Sequence, residues 1–211
     1  WDLSIDMDLI EEYARLNGYQ HIPEKLPPLA TMPIPHDLAF VLETKIRRLL
    51  QAEGCLQAVN YGFISRKFQD HVLGVSGGSA ERLVGAGLNV AAEPVALVNP
   101  LNEEINVMRT SLIPGLLKNV EHNSRQGNPF GRTFELGYGH FKVSGGYGQE
   151  ARLAFAFWGE PSGLWSKGHT APVFALKGVV DNLLAALNIP RARWQQLGVK
   201  ETPEFLHPGQ T

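Results

Sequence analysis

The sequence predicts an α+β fold in which a mostly antiparallel sheet packs against helices on one face. Strand-like and helix-like segments both occur, but they do not alternate as regular βαβ units. Several strand-like segments are joined by turns rich in Gly, Asn and Pro. The 211 residues are 44% hydrophobic, which is enough for a sizeable core. The length suits one large domain, or one domain plus a fragment of another.

Composition excludes several classes of protein. The net charge of −2 provides no overall positive field that would attract nucleic acid. The single cysteine, Cys55, excludes an internal disulfide and a cysteine-rich zinc site, and it suits a cytoplasmic protein. No apolar run approaches the roughly 18 residues of a membrane span, and no signal peptide is recognisable. Because the pattern is already under way at Trp1, we interpret the chain as a piece of a longer protein.

The first 18 residues are acidic and predict a helix from Asp8 to Gly18. Its apolar face contains Leu9, Ile10, Tyr13 and Leu16. Asp8, Glu11 and Glu12 stand at positions i, i+3 and i+4, so their carboxylates share one face. Acidic side chains are favourable near a helix N-terminus, and this explanation is the simpler one. The alternative is a hard cation, Mg²⁺ or Ca²⁺, held by oxygen ligands.

Residues 19–36 contain five prolines and predict a linker at a domain boundary. A helix should follow from Asp37 to Gly54, with an apolar stripe made of Leu38, Val41, Leu42, Ile46, Leu49 and Leu50. Alternating apolar residues predict a strand over Cys55–Ile64, and Ser65 should cap a short helix that ends at Leu73. Residues 74–92 are rich in Gly, Ser and Ala without a phosphate-binding pattern, so we interpret them as a surface excursion.

The second half of the chain predicts a regular series of elements. Pro94–Val98 should form a strand, and Ser111 should cap a helix to about Asn123 that tolerates Pro114 in its first turn. The remaining predicted elements are a strand at Arg132–Phe141, a hairpin turn at Gly145–Gly148, a strand at Leu153–Trp158, a helix at Val173–Leu187 and a strand at Trp194–Val199.

Five sequence blocks, in order, resemble the beta subunit of bacterial phenylalanyl-tRNA synthetases. They are WDLSIDMDLIEEYARLNGYQHIP at the start, NPL-EE from Asn99, VMRTSLIPGLL from Val107, FELGYGHF from Phe134 and FLHPGQ from Phe205. The resemblance covers almost the whole chain. It implies the fold of class II synthetase catalytic domains. Residues 1–22 would then end a small helical or winged domain, 23–36 would be the linker, and 37–211 would be a core truncated at its C-terminus.

The resemblance also implies a metal site. Similar beta subunits share a Mg²⁺ site with the alpha subunit, and its pattern is an Asp, a second Asp six positions later and then a pair of Glu. Asp2, Asp8, Glu11 and Glu12 match this pattern in type and spacing.

No catalytic residue is implied. In class II synthetases the strand that resembles FELGYGHF continues into Arg-x-Glu, and the arginine holds the ATP α-phosphate. Here the continuation is Lys142-Val143-Ser144, and a lysine lacks the bidentate fork of arginine. The arginine of the class's third motif has no candidate before Thr211. The resemblance therefore implies an inactive partner of the catalytic alpha subunit.

The resemblance further implies the assembly in which the chain works. The holoenzyme is an alpha2beta2 heterotetramer that joins phenylalanine to tRNA(Phe) with ATP and Mg²⁺. This chain would supply an interface and the metal ligands, and the holoenzyme would bind the tRNA. Self-association of the isolated chain through its uncovered apolar interface is a hypothesis.

Two rival functions and several single residues remain open. The rivals are an independent class II-like ligase that adenylates a small acid, and a nucleic-acid-binding module, against which the acidic N-terminus argues. Arg109 is interpreted as a salt-bridge partner of Glu103 or Glu104, or else as a subunit contact. The histidines and tryptophans considered as candidates lack metal-ligand, triad or stacking patterns; they are His122, His140, His169, His207, Trp158 and Trp165.

Overall fold

The computed structural model describes residues 3–25, 35–73, 93–100, 102, 104–159, 172–190 and 192–194. Contacts between residues divide the chain into two units, Trp1–Asp37 and Leu38–Thr211. The division into 1–22, 23–36 and 37–211 stays a prediction. Several predicted features lie outside the described residues: the central part of the linker, the 74–92 excursion, residues 160–171, and the chain from residue 195 onward, which holds most of the predicted last strand.

The first unit contains helix α1, Asp6–Asn17, and a 3₁₀ turn, Tyr19–His21. The helix begins two residues before the predicted start at Asp8. The reason is that the Asp8 carboxylate accepts hydrogen bonds from the backbone N–H groups of Ser4 and Ile5, at 2.7 and 2.9 Å. An acidic side chain one turn into a helix satisfies N–H groups that have no partner within the helix. The helix ends at Gly18, as predicted.

The second unit begins with α2, Leu38–Ala52, and Gly54 follows it with a φ of +77°. The single strand predicted over Cys55–Ile64 is wrong. The segment instead forms two short strands, β1 (Leu56–Gln57) and β2 (Phe63–Ile64), which belong to different sheets.

Asn60 is the physical reason for this break. Its backbone N–H and its side-chain amide both donate to the carboxylate of Glu135, at 3.2 and 2.7 Å. These bonds direct the backbone away from the first sheet midway through the segment. Alternating apolar residues cannot reveal such a break, because the residue that causes it has its partner 75 positions away.

The next elements are short. Helix α3, Arg66–Leu73, is capped as predicted, since the Ser65 hydroxyl accepts from the N–H of Phe68 at 3.3 Å. Strand β3, Val107–Met108, pairs antiparallel with β2. The strand predicted at Pro94–Val98 is wrong as a regular element, because the described structure has only an isolated bridge there, between Ala96 and Val107.

Helix α4 spans Ile113–Arg125 and has Pro114 in its first turn, as predicted. It begins later than expected from Ser111, whose hydroxyl nevertheless accepts from the N–H of Ile113 at 3.2 Å. The helix extends two residues beyond the predicted end near Asn123. The Ser111 hydroxyl therefore acts two residues before the first residue of the helix, and boundaries of this kind shift easily.

A long hairpin forms the centre of the second unit. Strands β4 (Gly131–Val143) and β5 (Gly146–Trp158) pair antiparallel along their whole length, from Gly131 opposite Trp158 to Val143 opposite Gly146. Ser144 and Gly145 make the turn, and Gly145 has a φ of +85°. The predicted turn at Gly145–Gly148 and the predicted strand start at Leu153 are wrong in position, because Gly146–Gly148 already pair with β4. β1 pairs in parallel with β4, which gives the described sheet order β1-β4-β5 and a mixed sheet. The α+β class is confirmed at this coarse level.

Helices contact both faces of the hairpin. Helix α5, Pro172–Ala186, and α2 cover one face, where the core contains Leu50, Cys55, Phe134, Val179 and Leu183. Side chains alternate along a strand, so Glu135 points to the opposite face, where α4 contacts β4 and β5. The prediction of helices on only one face is therefore wrong. No described helix is both long and apolar enough to cross a bilayer.

Candidate functional site

The predicted metal ligands lie on α1 as far as the structure describes them. Asp8, Glu11 and Glu12 occupy one helix face, and Asp2 lies outside the described residues. Hydrogen bonds from the N–H groups of Ile5 and Ser4 lower the pKa of Asp8. A side-chain hydrogen bond from Arg15 lowers the pKa of Glu12. These carboxylates are therefore ionised at neutral pH, as a cation site requires.

The donor chemistry fits a hard cation, whereas the arrangement of the side chains is incomplete. Carboxylate oxygens are the ligands that Mg²⁺ prefers. One Asp8 oxygen already serves the helix cap, and Glu12 binds Arg15, with 3.1 Å between Glu12 Oε2 and Arg15 Nε. Within the described ranges, no three His, Cys, Asp or Glu side chains come close enough to hold a metal. The set Asp2, Asp8, Glu11 and Glu12 stays a prediction.

The second group of functional candidates surrounds a buried ion pair on β4. Arg109 and Glu135 are 7% and 1% exposed, and Arg109 Nη1 lies 2.6 Å from Glu135 Oε1. Arg109 Nε also donates to the carbonyl oxygen of Tyr138, at 3.2 Å. The Asn60 amide donates to the other oxygen, so Glu135 has one cationic partner and both of its carboxylate oxygens are hydrogen-bonded. The predicted salt bridge of Arg109 exists, but the predicted partner, Glu103 or Glu104, is wrong: the partner is Glu135.

The two glycines of FELGYGHF make room for two arginines. A Cβ at Gly137 would come within 2.4 Å of Arg109 Nη2. A Cβ at Gly139 would come within 2.5 Å of the Thr110 carbonyl oxygen and 3.1 Å of Arg152 Nε. Glu135, Gly137 and Gly139 alternate along β4, so they share the face that carries the buried charges.

His140 lies at the edge of this group. Its backbone N–H donates to the Arg109 carbonyl at 2.8 Å, and its Nδ1 is buried without a hydrogen-bond partner. Burial, and then the positive charge of Arg109, lower the pKa of His140, so the ring is neutral near pH 7. His122 is exposed on α4, and His169 and His207 lie outside the described residues.

Trp158 has a packing role, as predicted. Its Nε1 donates to the Asn128 carbonyl oxygen at 3.2 Å, and its ring lies over Gly131. Trp165 lies outside the described residues.

Lys142 occupies an exposed position near the end of β4. Its backbone N–H donates to the carbonyl oxygen of Glu93 at 2.9 Å. The Glu93 carboxylate binds Arg66, which lowers the pKa of Glu93. The chain reverses immediately after Val143, through the two-residue turn. The position that carries the ATP-binding arginine in the resembled motif therefore holds an exposed lysine beside a tight turn.

Comparison with a family profile identifies the family. The sequence profile described as "Phenylalanyl tRNA synthetase beta chain CLM domain" matches residues 22–211. The chain belongs to this family. The resemblance stated from the five sequence blocks is thereby confirmed.

Curated relatives agree with the family match. The phenylalanine–tRNA ligase beta subunit of Bdellovibrio bacteriovorus is 46% identical over 213 residues, which is 100% of this chain and 26% of that protein. The beta subunits of Syntrophus aciditrophicus and Pseudomonas fluorescens are 35% and 33% identical, again over 100% of this chain and over 25% and 24% of theirs. The chain thus spans about a quarter of the length of these curated relatives.

Solved structures show a weaker likeness. Pyrrolysyl-tRNA synthetase from Desulfitobacterium hafniense aligns at a TM-score of 0.49 with 20% identity, over 90% of this chain and 61% of that one. A second structure of that synthetase, PylSc, gives a TM-score of 0.47 with 18% identity, over 87% and 53%. Scores at this level are too low to decide the fold.

Sequence reasoning missed three members of the buried group: Glu135 as the partner of Arg109, and Asn60 and Arg152. The available signal was the alternation of Glu135 with Gly137 and Gly139, because an acid and two glycines on one strand face indicate that large side chains cover it. Only the fold shows which side chains those are.

Proposed function

We propose that the chain is a structural part of a phenylalanine–tRNA ligase beta subunit. The whole ligase, an alpha2beta2 assembly in the cytoplasm, would charge tRNA(Phe) with phenylalanine using ATP and Mg²⁺. Family membership supports this assignment, and so do the names of the curated relatives. The core would have a class II synthetase-like fold, with residues 1–22 ending a preceding small domain.

The buried ion pair between Glu135 of β4 and Arg109, which follows β3, carries the proposal that this part is not catalytic. Glu135 and Arg109 neutralise each other inside the protein, so neither is available to bind a nucleotide. Lys142 presents a point charge without a bidentate fork. The chain would therefore contribute architecture to the ligase, while the adenylation chemistry would take place in the alpha subunit.

The exposed half of α2 is the surface that we assign to the alpha subunit. Leu38, Val41 and Leu42 are 84%, 47% and 48% exposed and lie on one side of the helix. The same stripe continues into Ile46 and Leu49, which pack against the core. An apolar stripe that extends beyond its own core is typical of a protein–protein interface.

The acidic face of α1 would supply the beta-subunit ligands of a Mg²⁺ shared with the alpha subunit. Asp8, Glu11 and Glu12 lie on one face with oxygen ligands, and Asp2 would complete the set. Metal binding would require the Glu12 carboxylate to release Arg15. This would cost little free energy, since exposed ion pairs contribute little to stability.

A binding experiment tests the assignment. The chain is incubated with a phenylalanine–tRNA ligase alpha subunit, with and without Mg²⁺, and the complex is captured on the tagged alpha subunit. Glu11→Gln should weaken the Mg²⁺-dependent complex. Asp6→Asn is the matched control, because Asp6 lies on the same helix outside the metal pattern and should have no effect. If the two variants bind the alpha subunit equally well, the proposed metal site is contradicted, whereas the proposed interface is not.

A second measurement separates the rival functions. Pyrophosphate exchange with ATP by the chain alone should stay at background. Exchange above background would favour an independent adenylating enzyme. A salt-sensitive gel shift with plain duplex DNA would favour the nucleic-acid-binding module.

A further inference from the structure

The end of α1 contains the single Asn-Gly pair of the sequence. Asn17 is the last residue of the helix and is exposed, and Gly18 follows it with a φ of +95°. A residue with positive φ directly after a helix is usually glycine. A Cβ at position 18 would also collide with the Gln20 side chain. The helix end therefore requires glycine here, and glycine places an unhindered backbone nitrogen beside the asparagine side chain.

An asparagine amide beside such a nitrogen can lose ammonia. The Gly18 nitrogen gives its proton to hydroxide and attacks the side-chain carbonyl carbon of Asn17, which lies within the same short stretch of chain. A C–N bond forms and closes a five-membered ring, while the bond to the amide nitrogen breaks and ammonia leaves with a proton from water, which restores the hydroxide. Water then opens the cyclic imide at either carbonyl and produces aspartate or isoaspartate.

His21 is placed to assist the first step. Its Nδ1 lies 2.7 Å from the backbone oxygen of Asn17, and because a carbonyl can only accept, Nδ1 donates. That oxygen belongs to the same peptide group as the Gly18 nitrogen, so resonance spreads the negative charge of the deprotonated nitrogen onto it. Hydrogen bonds to charged acceptors are stronger than those to neutral ones. His21 therefore stabilises the anion that attacks.

One hydrogen bond opposes the reaction. The Gly18 N–H donates to the Ala14 oxygen at 2.8 Å, so this bond must open before the nitrogen can react. Helix α1 has 12 residues, none of them buried, and helices of this length are marginal without tertiary packing. The His21 N–H donates separately to the Gly18 oxygen at 3.1 Å. The last helical turn can therefore open while the turn that positions His21 remains formed.

Asn188 is the matched comparison within the chain. It is exposed, follows α5 with a φ of 56°, and precedes the N–H of Ile189, which donates to the Leu184 oxygen at 2.9 Å. The hydrogen bonding thus resembles that after Asn17. The attacking nitrogen, however, would belong to a β-branched residue whose side chain crowds the approach.

We propose that Asn17 is a site of spontaneous deamidation, assisted by His21, and that the isoaspartate formed there loosens the end of α1. The product adds a negative charge at the C-terminal end of a helix, where anions are unfavourable. Isoaspartate also routes the backbone through the side-chain carbon, which displaces the groups that join Gly18 to Ala14. This modification goes beyond the proposed structural role and does not depend on it.

The test compares the two asparagines in one sample. The full 211-residue chain is kept in mildly alkaline buffer, and peptide mapping by mass spectrometry follows both sites. Asn17 should convert at least about tenfold faster than Asn188, a ratio that requires a barrier difference of only about 1.4 kcal/mol. Enzymatic methylation of isoaspartate should label the peptide that contains residue 17. No conversion of Asn17, or equal rates at the two sites, would overturn the proposal.

Variants identify the groups that react. Asn17→Gln keeps an amide but would have to close a larger ring, so the isoaspartate label should disappear. A label that persists would place the reaction elsewhere and overturn the assignment. The far-UV circular dichroism of the parent chain should show a loss of helix as Asn17 converts, whereas the Asn17→Gln variant should keep its helix. An unchanged spectrum after full conversion would contradict the loosening of α1.

His21→Leu tests the assistance. It removes the donor and should slow conversion of Asn17 severalfold while leaving Asn188 unchanged. Loosening of the helix end alone would speed the reaction, so slower conversion separates assistance from a merely structural role. His122→Leu, at an exposed histidine of α4, is the control and should leave both rates unchanged. Unchanged or faster conversion in His21→Leu would overturn the part assigned to His21.

Discussion

Glu135 shows how one residue can join separate parts of a fold. Its carboxylate accepts from Asn60, in the segment between β1 and β2, and from Arg109, which follows β3. The adjoining N–H of Thr110 donates to Gln69 of α3 at 2.8 Å. Because every partner is buried or half-buried, solvent cannot replace a lost contact, and each depends on the others.

Removal of one member of the buried ion pair should be costly. Arg109→Met leaves the Glu135 carboxylate buried without its counterion, and the free energy of unfolding should fall by about 3–5 kcal/mol. The double variant Arg109→Met, Glu135→Leu should recover part of this loss. Urea unfolding measures both values.

The exposed pair Glu121–Arg125 on α4 is the control for this experiment. Arg125→Gln should change stability by no more than about 0.5 kcal/mol, since exposed pairs contribute little. A similarly small effect of Arg109→Met would contradict the structural role assigned to the buried pair.

His140 should make stability depend on pH. Burial lowers its folded-state pKa below the ordinary value of 6.5. The unfolded chain therefore takes up this proton first as the pH falls. The neutral His140 ring therefore contributes its full stabilisation above the ordinary pKa. As the pH falls from the ordinary pKa to the lower folded-state pKa, the free energy of unfolding decreases, and below the folded-state pKa it decreases no further on account of this group. His140→Gln should remove this component.

The measurement for His140 is urea unfolding at about pH 7.5 and about pH 5.5, a window that brackets the ordinary pKa. The parent chain should lose more stability across this interval than His140→Gln. His122→Gln, which changes an exposed histidine of α4, should follow the parent. If His140→Gln loses as much stability across this interval as the parent chain, the lowered pKa of His140 is contradicted.

At the scale of elements, two glycines of β4 allow other parts of the chain to pack closely against the hairpin. Gly139 allows the Thr110 backbone to lie against β4, and Gly137 allows Arg109 to cross the strand. In most strands a glycine weakens the ladder. Here the missing side chains provide the space in which the buried charges meet, so these glycines contribute to the packing.

The same substitution at two glycines should have opposite effects. Gly139→Ala places a Cβ 2.5 Å from a backbone oxygen and should destabilise the protein by about 1–3 kcal/mol. Gly178→Ala, in the middle of α5 where nothing lies within 4 Å of the new Cβ, should stabilise it by about 0.5–1 kcal/mol. Thermal and urea unfolding of the two variants measure the difference. A neutral Gly139→Ala would contradict the observed close approach.

At the scale of the whole molecule, the first part of the α2 stripe stays exposed among the described residues of the second unit. Leu42→Gln should leave the free energy of unfolding within about 0.5 kcal/mol, since Leu42 is 48% exposed and both residues favour helix. Capture by the alpha subunit should fall several-fold. Gln51→Ala, at an exposed position of the same helix, should affect neither property.

The comparison of the Leu42→Gln and Gln51→Ala variants decides whether α2 is the subunit contact. Undiminished capture of Leu42→Gln would place the contact elsewhere. Loss of capture together with a large fall in stability would mean that Leu42 supports the fold, contrary to its exposure.

Local chemistry accounts for the elements that sequence reasoning predicted correctly. The helix α2 and the helix α3 begin and end near the expected positions because caps such as Ser65 and turn residues such as Gly54 act on neighbouring backbone. The hairpin of β4 and β5 was predictable for the same reason, since Gly145 supplies the positive φ that its turn requires.

The sequence by itself determined the family, the α+β class, the helices and the central hairpin, because these depend on motifs, periodicity and short-range caps. Only the tertiary structure decided that Cys55–Ile64 splits between two sheets and that Arg109 pairs with Glu135. These features depend on contacts between residues far apart in the chain. Periodicity reveals which way a side chain faces, but it carries no information about which distant side chain meets it there.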